Sequence, residues 1–342
     1  MDTLEAIRAL PKVELHVHIL GSIQPETLLS IIREDGISAP YSNVEEIGNR
    51  FEYTDFMNFI RTYMEIVEYI TDARHFERIT YEMLETCSKS NVQYVEASFS
   101  PRDHLPNNLD FKDMVNAINQ GIQRAQHDFD IETNIRIDVV RTSSSEEATE
   151  ILDLIERNPD NIISIDIGGN EREYPPQPFA EIYERARGMG LHCVAHAGEA
   201  AGPESIWGAL HHLKVERIGH GITARGNPDL IEHLKQNKIA IEMCPVSNLR
   251  TGVVPSISEH PIREFFEKGL LVTVNSDDPS LFHTSMNNEY EQIHKHLDFS
   301  LKELFQISMN GVQTAFINES VKSDLVQRFT KEFTEIESQV SG

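Results

Sequence analysis

The chain alternates between two hydrophobic rhythms. Short runs dense in Val and Ile recur at 13–19 (VELHVHI), 92–99 (VQYVEASF), 135–140 (IRIDVV), 162–167 (IISIDI), 191–196 (LHCVAH), 216–220 (ERIGH), 238–244 (KIAIEMC) and 270–276 (LLVTVNS). Runs of this length and content read as buried strands. Between most of them apolar positions fall at helical spacing, as in 146–158, 178–190, 203–214 and 228–237, and several of these segments open on Pro or an acidic residue, as helix starts do. Strand-then-helix alternation with nearly continuous apolar strands predicts a parallel sheet covered by helices. Eight such units predict an α/β fold of the closed (β/α)8 TIM barrel type.

The stretch 23–90 exceeds one crossover helix, so extra helices are expected after the first strand. It carries Phe51, Tyr53, Phe56 and Phe59, whose spacing suits either an apolar lid over the barrel mouth or ordinary core. No linker, low-complexity block or repeat divides the sequence, which predicts a single domain over 1–342.

In a TIM barrel the active site lies where strands end, at the C-terminal rim. Four of the predicted strands end in ionisable groups: His16 and His18 on the first, His196 on the fifth, His220 on the sixth, and Asp277 with Asp278 after the eighth. Residues two apart on a strand share a face, so His16 and His18 both point inward. Two inward imidazoles make half a metal site, and with His196 and Asp277 they offer a nitrogen and oxygen set that suits Zn²⁺, one ion per chain. Alone, such a pair reads more readily as satisfied core histidines. Glu199 in HAGE could reach over a substrate at the metal, or serve only as an acid near a helix start. His220, flanked by glycines, could be a site residue or a turn residue, and the Asp-Asp-Pro after the eighth strand could be only a turn signal.

Composition limits the partners. The 30 Lys and Arg against 55 Asp and Glu leave a formal charge of −25, which repels nucleic acid and anionic lipid. Cys87, Cys193 and Cys244 form no CxxC pair, so neither a disulfide framework nor a zinc ribbon is expected. With no basic-then-apolar leader and no apolar stretch approaching ~18 residues, a cytoplasmic protein is expected, of unknown oligomeric state.

VELHVHI, SFSP (98–101), HAGEAAGPESI (196–206), RIGHG (217–221), CPVSN (244–248) and VNSDDP (274–279) together resemble the adenosine deaminase family of the amidohydrolase superfamily. The resemblance runs from residue 11 to about 290, with the motifs in family order. It implies hydrolysis of the 6-amino group of an adenine-type base to the 6-oxo product and ammonia. It makes His16, His18, His196 and Asp277 the zinc ligands. Glu199 becomes the acid that protonates the purine ring, and His220 the group that orients or deprotonates the attacking water. Asp278 would meet the attacking oxygen and N7, Gly169 would present its N–H to N3, and Ser100 would be a pocket residue.

One departure bears on substrate. Where the family commonly carries an acid for the ribose 5′-hydroxyl, this chain has Leu20, which cannot accept that hydrogen bond. The expected substrate is therefore adenosine or a 5′-modified adenosine, with 6-amino-6-deoxyfutalosine and 5′-methylthioadenosine as alternatives. Arg102 could meet an anionic 5′ group, or be a solvated surface residue. Free adenine is the weaker candidate, since adenine deaminases usually carry an aspartate where this chain has Gly219. A zinc amidase or phosphoesterase would want a strand-terminal lysine, which none of the strands provides, and a non-catalytic nucleoside binder would have no need to retain every proton-transfer position.

Overall fold

Eight parallel strands follow one another around a barrel in a computed structural model that describes residues 1–53 and 55–340. They are β1 (Lys12–His18), β2 (Val92–Phe99), β3 (Glu132–Val140), β4 (Ile162–Gly168), β5 (His192–Ala197), β6 (Arg217–His220), β7 (Ala240–Met243) and β8 (Val272–Val274). Each pairs with the next in sequence. The ring closes through a parallel bridge between Val17 and Asp277, where the Asp277 N–H donates to His16 O (2.9 Å) and the His18 N–H donates to Asp277 O (2.8 Å). This is the TIM barrel that the hydrophobic rhythm predicts, with strand positions within a few residues of those expected.

The insertion after β1 holds helices Pro25–Glu34, Val44–Arg50, Phe56–Tyr69 and His75–Lys89. Its aromatic run serves both expected purposes. Phe51 and Phe59 are core residues, Phe59 lying with its ring centroid 4.8 Å from that of Phe282, whereas Phe56 is only partly buried and faces the barrel mouth. None of the described helices is long and apolar enough to cross a membrane.

The inside of the barrel departs from the usual filling of branched aliphatics. Along β1 the alternation is inverted: Glu14, His16 and His18 occupy one face, while Val13 and Leu15 pack outward against Val312 and Phe329. Deeper in, Arg136 of β3 pairs with Asp166 of β4 and with Glu242 of β7 (2.8 Å), and Arg217 of β6 pairs with Glu96 of β2 and with Glu242 (2.7 Å). All five are essentially inaccessible to solvent. Buried charges persist only when matched in this way, because an unpaired one costs several kcal/mol.

A different buried carboxyl makes stability depend on pH. Glu289, fully buried, accepts from Val246 N (3.1 Å) and the Thr284 hydroxyl (2.6 Å), and burial pushes its pKa up to about 8. A carboxyl with a folded pKa above its unfolded one favours folding fully below the unfolded value, and the benefit is lost as pH rises through the folded value. Glu289→Gln is therefore expected to gain on the wild type between about pH 5 and about pH 9, by a few degrees of Tm in paired calorimetric scans.

Candidate active site

The ends of β1 and β5 and the residue three past β8 bring His16, His18, His196 and Asp277 together, all buried, with ligand atoms within 4.8 Å of one another. The Nε2 atoms of His16 and His18 each lie 3.3 Å from Asp277 Oδ1. Tetrahedral coordination with bonds of about 2.0–2.1 Å gives ligand-to-ligand edges of about 3.3 Å, so the spacing fits a small divalent ion. His16 Nε2 is buried without a hydrogen-bond partner among the described residues, as a ligand nitrogen has to be. The other ring nitrogens are fixed from behind: His16 Nδ1 stands 2.9 Å from Glu242 Oε2, and His196 Nδ1 stands 2.8 Å from Asp166 Oδ2. Carboxylates in this position set the tautomer and orientation of ligating histidines.

Cys244 also falls within reach, grouped with His16, His220 and Asp277. Its thiol is directed at Glu242 O (3.8 Å), and burial raises its pKa well above the usual value. A protonated thiol is a poor ligand. The imidazole and carboxylate set forms the metal site.

Asp277 and His220 both adopt left-handed backbone conformations, with φ of +64° and +61°. Non-glycine residues enter this region at a cost, and such positions concentrate at functional sites. The turn at Asp277 lets its backbone close the barrel while its carboxylate faces the histidines; Ser247 donates to its other oxygen at 2.6 Å.

Glu199 and His220 flank this cluster. The Glu199 carboxyl is buried, and burial, reinforced by the charges of Asp277 and Glu171, pushes its pKa well above the carboxylate range. Burial drives His220 the other way, to a neutral imidazole, despite the opposing charge of Asp277. Its Nε2 lies 3.8 Å from Glu199 Oε2 and 3.7 Å from Asp277 Oδ2, and its Nδ1 lies 3.2 Å from the Asn248 amide, itself 3.1 Å from His260. Asp278 is buried, its carboxyl pushed up first by burial and then by Asp277. Gly21 backs it closely: a Cβ there would stand 1.8 Å from Asp278 Oδ1.

These groups open into a cavity of about 390 Å³, lined by His18, His196, Glu199, His220, Asp277 and Asp278 at the metal end. Ser100 and Gly169 line it as well, Gly169 with a φ of +101° that an L side chain rarely adopts. The rest of the wall is mainly apolar, with Phe56, Met57, Ile60, Met64, Val140 and Tyr174, but it also carries Asp103, Thr142, Asn170 and Glu173. Two expected substrate contacts lie elsewhere. Leu20 is packed into the hydrophobic core and is not among the lining residues, and the Arg102 guanidinium is engaged by Glu147 on the barrel exterior.

The supporting residues Asp166, Glu171, Glu242 and Asn248 were not singled out from the sequence. Glu171 accepts the N–H groups of Gly198, Glu199 (3.0 Å), Ala200 (2.8 Å) and Ala201 (3.0 Å), and so holds the turn that presents Glu199. A signal existed for two of them. Asp166 and Glu242 interrupt the apolar runs IISIDI and KIAIEMC, where an acid has to be buried and paired.

Comparison with known proteins agrees with this arrangement. The adenosine deaminase family model matches residues 11–332, and the chain belongs to that family. It is 34% identical over 331 residues to an adenine deaminase of Acinetobacter baylyi, covering 97% of this chain and 100% of the relative. It is 33% identical over 325 residues to an aminodeoxyfutalosine deaminase of Streptomyces avermitilis, covering 94% and 91%. The crystal structure of an adenine deaminase from Arthrobacter aurescens superposes with a TM-score of 0.91 at 31% identity, covering 94% of this chain and 98% of that one. A zinc-bound amidohydrolase from Burkholderia ambifaria superposes with a TM-score of 0.92 at 26% identity, covering 99% and 94%. The protein is thus a metal-dependent aminohydrolase of adenine-type purines.

If the carboxylates behind the ligands orient them, Asp166→Asn should weaken metal binding by about 10–100-fold. Competition of the purified variant against a chromophoric chelator, with circular dichroism to verify folding, measures this.

Proposed function

We propose that the protein is a zinc-dependent deaminase of adenine nucleosides that carry an apolar 5′ extension. The observation that carries the chemistry is Glu199, a buried carboxyl next to a three-histidine, one-aspartate site, which burial pushes well above the usual carboxylate range. Bound there, Zn²⁺ would lower the pKa of a water toward about 7 and so supply the nucleophile at neutral pH. The chain's own groups do the rest. Neutral His220 takes a proton from the attacking water. As the bond to C6 forms, electron density moves to N1, where Glu199 donates its proton. Protonated Asp278 donates to N7, and the Gly169 N–H meets N3, which together fix the face of the purine turned to the metal. The proton on His220 then passes to the 6-amino group, which leaves as ammonia. The new C6 hydroxyl loses its proton, returning Glu199 to its acid form, and becomes the 6-oxo group.

One feature supports a nucleoside with an extended 5′ end: the cavity continues past the purine-binding groups along Phe56, Met57, Ile60 and Met64. Gly219 lies behind His16, where a Cβ would stand 3.0 Å from the ring, so the aspartate usual in adenine deaminases would require the His16 ring or the Gly219 backbone to shift. The lining contains six carboxyl groups (Asp103, Asp138, Glu173, Glu199, Asp277 and Asp278) and neither Lys nor Arg, which disfavours a 5′-phosphate. The 34% identity to adenine deaminases supports a second reading, free adenine as substrate.

A panel of adenine, adenosine, AMP, 5′-methylthioadenosine and 6-amino-6-deoxyfutalosine separates these readings. One of the 5′-extended nucleosides is expected to exceed adenosine in kcat/KM by about 10-fold or more, the scale of a filled apolar pocket, with AMP last. Highest kcat/KM on adenine would establish the second reading instead. Glu199→Gln is expected to keep its metal and lose about 10²–10⁴-fold in kcat, the scale of a lost general acid. Turnover by that variant at the wild-type rate would remove Glu199 from the mechanism.

A further inference from the structure

Asp138 sits on β3 in the wall of the same cavity and takes no part in the chemistry above. Its relative exposure is 6%. One carboxyl oxygen, Oδ2, accepts the Ser100 hydroxyl at 2.9 Å, and the other, Oδ1, has no hydrogen-bond partner among the described residues. The neighbouring strand makes room for it: a Cβ on Gly168, at the end of β4, would stand 2.8 Å from Oδ2 and 3.1 Å from Oδ1. Unlike Asp166 and Glu242, it makes no ion pair with an arginine among the described residues; the charged groups that act on it include Asp103, Asp166, Asp278, Arg141, His18 and His196. A buried acceptor left unpaired costs about 1–3 kcal/mol, so an oxygen kept in that state on the wall of a substrate cavity calls for a ligand that supplies the donor.

The chemistry of an adenine nucleoside says which donor. Its only N–H donors are on the 6-amino group, which has to lie at the metal beside Glu199, so every other donor is a ribose hydroxyl. A 5′-extended substrate has no 5′-hydroxyl to offer. We infer that Asp138, held by Ser100, is a specificity residue that accepts a hydrogen bond from the 2′- or 3′-hydroxyl of the sugar. The inference rests on the nucleoside reading of the site.

The test compares adenosine with 2′-deoxyadenosine and 3′-deoxyadenosine on the wild type and on Asp138→Ala, with metal content and Tm measured on both proteins. In the wild type, removal of one hydroxyl is expected to lower kcat/KM by about 10–100-fold, mainly through KM. In Asp138→Ala that penalty is expected to shrink to under about 3-fold for the same analogue, the coupling that marks a direct contact. A purely structural role would lower activity on all three substrates alike and leave the ratio standing, which would overturn the assignment. So would a wild type indifferent to both hydroxyls, a result that does not depend on whether the variant folds. Two metal ions per wild-type chain falling to one in Asp138→Ala would reassign the residue as a ligand. A wild type that deaminates adenine but no nucleoside defeats the nucleoside reading and this inference together; one that accepts nucleosides with an unchanged hydroxyl ratio defeats this inference alone.

Discussion

The site depends on charge balance inside the barrel. Arg136 pairs with the two carboxylates, Asp166 and Glu242, that stand behind two of the metal-binding imidazoles. Arg217 shares Glu242 and adds Glu96. Remove the arginines, and the acids would be too costly to bury as anions; they would take up protons and cease to orient the rings. The polar interior therefore connects the packing of the barrel floor to the direction in which His16 and His196 point. An aliphatic interior would pack as well and orient nothing.

The same balance separates the titrating groups by height. Near the barrel floor, guanidinium groups keep carboxylates ionised: Glu242 is held well below its usual range, with Arg136 and Arg217 outweighing the effect of burial. At the rim, burial and then neighbouring acids push the carboxyls of Glu199 and Asp278 well above the usual range. One element of structure thus supplies acceptors that steady a cation and donors that meet a heterocycle, with no change of residue type.

The barrel, the metal ligands and the residues beside them were legible in the sequence because each is a local pattern. Strand runs have a period, His16 and His18 are two apart, and Asp277 follows the last run. What escaped depends on contacts across the barrel. Glu171 matters because its side chain folds back onto the 198–201 turn, and Asp138 because its strand faces Ser100 and Gly168; neither relation has a sequence spacing that announces it. Leu20 was singled out by its place in the family's motif and Arg102 by its place after a strand end. In the structure the chain turns at both places, so that Leu20 enters the core and Arg102 finds Glu147.

The seam between first and last strands has a consequence for biosynthesis. Asp277 joins the barrel by bonding on either side of Val17, so the amino-terminal strand must wait, its ladder incomplete, until the chain has been made to that point. Two imidazoles are in place early, a third arrives past the midpoint, and the carboxylate comes as the ring shuts. Tight capture of the ion belongs to the end of assembly, because a nascent chain stalled before β8 would carry the three histidines without the carboxylate.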